Sequence, residues 1–190
     1  MLLNIIKQFN WADILLIIVF YRICYIGVVN GLPSEIFKLL GIILANYVSF
    51  HYYTVFSDFI SSHIDLRKVP LEFLDFLCFV IMILVAHVIF MVLRGLFARA
   101  IKLEAVPRLN KWGGLILSLV RGYLLAGLIC YAMAISSIAF LKDSVKHSYI
   151  GVRMFTASPD TYTWLWKNVA SKFMVREKFN ETILEVQEKF

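Results

Sequence analysis

Among the ionisable side chains that fall within apolar stretches of this sequence, Asp13, Arg22, His51, Asp75, His87 and Arg121 stand out. A charge at the centre of a bilayer costs about 2.5–3.5 kcal/mol on insertion scales, so it needs a partner, water or a route to the interface. Counted at about 1.5 Å per residue from one end of the proposed spans, Arg22 lies about 10 Å deep and Arg121 about 12 Å. Two arginines at one level would line a polar cavity or grip an anionic group; the competing reading is that both snorkel toward lipid phosphates. Asp13 and Asp75 lie within about 6 Å of the opposite edge on the same count, so direct pairing of Asp13 with Arg121 is not expected. A histidine inside a span relays protons or bonds a backbone carbonyl. Neither His51 nor His87 has a second His or a carboxylate at i+3 or i+4, which favours the carbonyl for both.

Nothing in the sequence has the form of a catalytic centre. It shows no Ser–His–Asp order, glycine-rich phosphate loop or paired carboxylates. Cys24, Cys78 and Cys130 share no C-x-x-C spacing, and as small apolar fillers they are read as packing. No enzyme activity, cofactor or metal is expected. The net charge of +6 is spread through loops and tail rather than gathered in a stripe, which argues against a nucleic-acid partner.

The elements that must position these residues follow from composition. The chain is 61% hydrophobic and 17% charged, with a mean hydropathy of +0.78, against about 45–50% and about 25% for a soluble domain. Such a chain would expose large apolar patches in water, so its expected partner is the lipid bilayer. Crossing a core about 30 Å thick takes about 20 apolar residues. Four stretches qualify, at about 11–29, 36–56, 71–97 and 113–141, and the connections between them carry Pro33, Pro70 and Pro107. The fourth has no charged residue from Leu124 to Phe140. The expected fold is all-α: an integral membrane four-helix bundle over residues 1–141, followed by an amphipathic helical tail over 142–190.

The first span is expected to be retained rather than cleaved. It has only Lys7 ahead of it, Asp13 and Arg22 within it, and no A-x-A site after it. Orientation rests on the basic residues of short loops. Arg94, Arg99, Lys102, Arg108 and Lys111 stand against Glu104 in the third connection, while Asp58 and Asp65 offset Arg67 and Lys68 in the second. That bias puts the first and third connections inside and both termini outside, although Lys142, Lys146 and Arg153 pull the other way.

Small residues recur every four positions on two spans: Gly114, Ser118, Gly122 and Ala126 on the fourth, and Gly41, Ala45 and Ser49 on the second. Small side chains let helix backbones approach closely in lipid. Spans two and four are therefore expected to make the tight contacts. The same stripes would serve a homo-oligomer or other membrane proteins, but packing within the chain is preferred. In the tail, Ser158-Pro159-Asp160 reads as a helix start. Tyr162, Leu165, Trp166, Val169 and Phe173 follow at helical spacing, then Phe179, Ile183, Val186 and Phe190, with Glu185 and Lys189 as an i,i+4 pair. Such a helix lies in the membrane interface, docks on a partner or docks on the bundle; the interface is the expectation.

In order along the chain, NWADILLIIVF, NGLPSEIFKLLG and NKWGGLILSLVRG resemble the first helix, first turn and fourth-helix start of the CvpA family, bacterial inner-membrane proteins named for colicin V production. Asp13, Gly31, Glu35, Gly114, Arg121 and Gly122 match its pattern. Asn110 stands where an Asp is usual, and Asn30 and Ser34 replace arginines, which weakens any role for basic residues in the first turn. The resemblance implies a protein of the inner membrane linked to production or export of a peptide toxin and to envelope function, so that the termini placed outside by the loop charges would be periplasmic. It implies no established molecular activity. Two hypotheses follow. One is a non-enzymatic accessory protein that assembles through its small-residue faces. The other is a small oligomeric channel or transporter whose polar path uses Arg22, Arg121, His51 and His87.

Overall fold

The computed structural model describes residues 9–63, 69–100, 107–174 and 176–190. Three long helices dominate it: α1 (Trp11–His63), α2 (Leu71–Ala100) and α3 (Pro107–Ile135). Shorter helices follow: α4 (Ala139–Lys146), α5 (Gly151–Phe155), α6 (Ala157–Leu165), a π-helical turn (Trp166–Ala170), α7 (Ser171–Phe173) and α8 (Thr182–Lys189). No strand occurs among the described residues, and the three long helices are long and apolar enough to cross a membrane.

Within α1 the first two expected spans remain two helices, separated at Gly31 and running in opposite directions along α3: Phe20 packs at Gly122 and Gly27 at Gly114, while Glu35 meets Arg121 and Phe50 meets Tyr131. There φ is 76° and ψ is 176°, a region essentially reserved for glycine. The bend frees the N–H of Leu32, and Asn110 of α3 accepts it through Oδ1 at 2.7 Å. Pro33 then sits in the first turn of the second half, where a missing N–H costs nothing. A Cβ on Gly31 would run into the Asn110 amide, so bend and cap form one joint.

The fourth span is shifted. Its helix starts at Pro107 and stops at Ile135, because Ser136 takes the N–H of Ile138 on its hydroxyl (3.1 Å) and turns the chain. The boundary expected after residue 141 therefore falls inside α4. Lys7, used to judge whether the first span is retained, and Asp65, Arg67, Lys68, Lys102 and Glu104, used to weigh orientation, lie outside the described residues, as do the side chains of Arg94 and Arg99.

The tail docks on the bundle. Phe155, Tyr162 and Ile183 are buried, and Phe50, Phe79, Tyr131 and Tyr162 build an aromatic core with the Tyr53 hydroxyl 3.1 Å from that of Tyr131. Ser158 does not cap a helix. It donates to the carbonyl of Leu124 at 2.7 Å, in a close approach that Gly127 permits. Trp164 and Phe173, 60% and 81% exposed, face outward.

Candidate functional site

Glu35 is the centre of the most unusual polar group in the bundle. It follows the Gly31 bend by about one helical turn, or about 6 Å along the axis, and its carboxylate is fully buried. Arg121 of α3 donates from Nε to Oε2 at 2.9 Å, and Lys38, one turn on in α1, donates from Nζ to Oε1 at 2.5 Å. One buried anion thus holds two cations. Desolvating charges is favourable only when geometry and pairing are good, and here both carboxylate oxygens are engaged. The cations are less enclosed: the Arg121 and Lys38 side chains are 15% and 20% exposed. Arg121 Nη2 is buried without a hydrogen-bond partner among the described residues.

These cations line a cleft of about 410 Å³ between α1, α2 and α3. Its other walls are apolar, including Ile26, Ile42, Phe90 and Leu125, with the exposed His87 of α2 beside them. The structure therefore brings Arg121 and His87 to one cleft, and adds Glu35 and Lys38. Arg22 is elsewhere, exposed on the outer face of α1, so the expected pair of arginines does not share a cavity. The carbonyl expected for His87 is also missing: its imidazole has no hydrogen bond among the described residues and borders the cleft instead. Asp75 lies toward the tail in a smaller pocket of about 170 Å³, with Glu72, Lys142, Glu185 and Lys189.

His51 and Asp13 hold the tail. The expected backbone carbonyl for His51 is replaced by two tail side chains: Nε2 lies 2.7 Å from Glu177 and Nδ1 lies 2.9 Å from the Tyr162 hydroxyl. Trp166 stacks on the imidazole, and Tyr52 donates to Glu177 at 3.0 Å. Burial pushes the Tyr162 phenol up to about 12. Asp13 accepts the Asn10 N–H at 2.9 Å, capping α1, and also accepts the Ser148 hydroxyl (2.6 Å) and the Ile150 N–H (2.7 Å).

The small-residue stripes join different spans from those expected. A Cβ on Gly114 would strike the Gly27 carbonyl, and one on Gly27 would strike Ser118, so the stripe of α3 packs on the first half of α1. Gly122 continues it, since a Cβ there would come within 2.9 Å of the Phe20 ring, and Ala126 is buried further along. A Cβ on Gly41 would come within 2.6 Å of the Phe90 ring of α2, while Ala45 and Ser49 are buried. Cys78 and Cys130 are buried as free thiols, and Cys24 is partly so.

Glu35, Lys38, Glu177 and Tyr162 were missed as site residues. The first two carried a signal, an i,i+3 opposite-charge pair that straddles the start of the second span. The last two carried none, because their partner His51 lies more than a hundred positions away.

The family described as colicin V production protein matches residues 12–158 of the chain. That range includes the bend, the charged cleft and the first docked segment of the tail. No curated protein and no solved structure matches the chain.

Proposed function

The chain belongs to the colicin V production protein family, and from that premise we propose a non-enzymatic protein of the bacterial inner membrane that serves production or export of a peptide toxin and envelope function. The observation that carries the reading is the extent of the family match, which takes in the three long apolar helices. The termini and the docked tail lie on the periplasmic side in this reading, in keeping with the basic bias of the third connection. The test is complementation. In a toxin-producing bacterium deprived of its own family member, the chain restores secreted toxin activity. Failure to restore it, with the protein present in the membrane, overturns the proposal.

A second reading is supported by the Glu35–Lys38–Arg121 cluster: a small channel or transporter with a polar path through the bundle. Charges inside spans commonly mark such paths. In proteoliposomes, this reading expects Arg121→Gln to change the flux of an ion or small solute, and a protein that passes none contradicts it. Assembly through the small-residue stripes has less support, because both stripes are occupied within the chain.

A further inference from the structure

We propose that the cleft lined by Lys38, Arg121 and His87 is a binding site for a phosphate-bearing anion. The inference rests on the geometry of the cleft and does not depend on the role in toxin production.

The charge balance points to an anion. Glu35 neutralises one of the two cations that hold it, so the cluster keeps a surplus positive charge. The remaining walls of the cleft are apolar apart from His87, and supply no second carboxylate. A surplus charge within the hydrocarbon region needs a counter-charge or water. A metal cation is a poor occupant, because Glu35 is fully buried and both its oxygens already accept hydrogen bonds.

The donors point to phosphate. Lys38 commits one of its three N–H groups to Glu35, and its side chain remains partly open. Arg121 commits Nε, and its Nη2 has no partner among the described residues. An ammonium and a guanidinium converging from two helices suit an oxyanion with several acceptor oxygens. Lys38 lies about 10 Å beyond the Gly31 bend, a depth that a long cationic side chain spans to reach a headgroup. The apolar walls at Ile42, Phe90 and Leu125 suit the first carbons of an ester chain. Both a phospholipid headgroup and free phosphate offer this chemistry.

The test uses the purified full-length chain in a neutral detergent. The probes are phosphatidic acid, inorganic phosphate and, as the uncharged control, diacylglycerol with the same acyl chains. Native mass spectrometry counts retained lipid, and the thermal midpoint reports binding of each probe. The expected result is one tightly retained phosphatidic acid and a raised midpoint, with no effect of diacylglycerol. Lys38→Gln weakens binding by about tenfold, as expected for loss of a charge-assisted hydrogen bond, and Lys38→Arg restores it. Retention of phosphatidic acid without competition by inorganic phosphate identifies a lipid site; competition at millimolar phosphate identifies a site for the free anion. Binding of neither phosphate probe, equal binding of diacylglycerol, or unchanged binding in Lys38→Gln overturns the proposal. The Lys38 variants keep the Glu35–Arg121 pair, and their thermal midpoints without probe report whether the fold is intact.

Discussion

Arg121 and Glu35 stand 86 positions apart and meet through one hydrogen bond of 2.9 Å, from Nε to a carboxylate oxygen wholly enclosed by protein. Breaking such a pair by removing one partner leaves an uncompensated charge in a low-dielectric interior. Glu35→Leu would leave Arg121 and Lys38 facing each other. It is expected to lower stability by roughly 3 kcal/mol, read as the shift in an unfolding transition in mixed detergent. A loss within 0.5 kcal/mol of zero would mean that water already screens the pair.

The bend at Gly31 offers a second test. Gly31→Ala forces a Cβ into a backbone region that costs about 1–3 kcal/mol and against the Asn110 amide. Gly95 has nothing within 4 Å of its would-be Cβ. Gly95→Ala is therefore expected to be neutral or to stabilise by up to about 1 kcal/mol through helix propensity. Equal effects at the two positions in a thermal-shift comparison would refute the joint.

Asn110 works in that joint as an acceptor for the Leu32 N–H. Asn110→Asp preserves the acceptor and should leave stability nearly unchanged, in line with the Asp usual at this position in the family pattern. Asn110→Ala should cost about 1 kcal/mol, as for other lost caps. The ordering of the two variants by thermal midpoint is the readout.

Gly114 abuts the Gly27 carbonyl within one chain. Gly114→Leu should therefore destabilise the folded protein by about 3 kcal/mol without changing the mass of the particle. Light scattering with the detergent mass subtracted, combined with a melting curve, separates the outcomes. A clean dissociation of an oligomer into folded protomers would show that the stripe joins chains.

At the tail, His51 is bridged to Glu177, and Asn180 donates to the Phe50 carbonyl at 2.8 Å. Glu177→Ala with Asn180→Ala should release the segment after the π-helical turn, while the long helices keep their packing. Limited proteolysis in detergent should then cut within 174–181 at least several-fold faster than in the wild type. Unchanged cleavage would mean that apolar burial of Ile183 and Tyr162 holds the tail by itself.

The membrane class, the apolar stretches and the family pattern were legible because they depend on composition and on residues close together in sequence. The details that failed depend on distance. Pro33 reads as a break, and the break is present, but the residue that makes it is Gly31 and the group that caps the next helix is Asn110 from α3. Glu35 reads as a loop charge until Arg121 arrives from the far end of the chain. The small residues at 114, 118 and 122 show that something approaches closely without showing which helix does. Likewise, the apolar face of the tail is the same whether lipid or the Tyr131 aromatic core covers it. Ser158-Pro159-Asp160 does lie at a helix start, but α6 already begins at Ala157 and the Ser158 hydroxyl goes to the Leu124 carbonyl instead of capping it.

The most direct measurement is secreted toxin activity from a producing strain that lacks its own family member and carries either the wild-type chain or an empty vector. The account predicts that the chain restores secretion above the vector control. Secretion no higher than the control, with the protein present in the membrane, would contradict it.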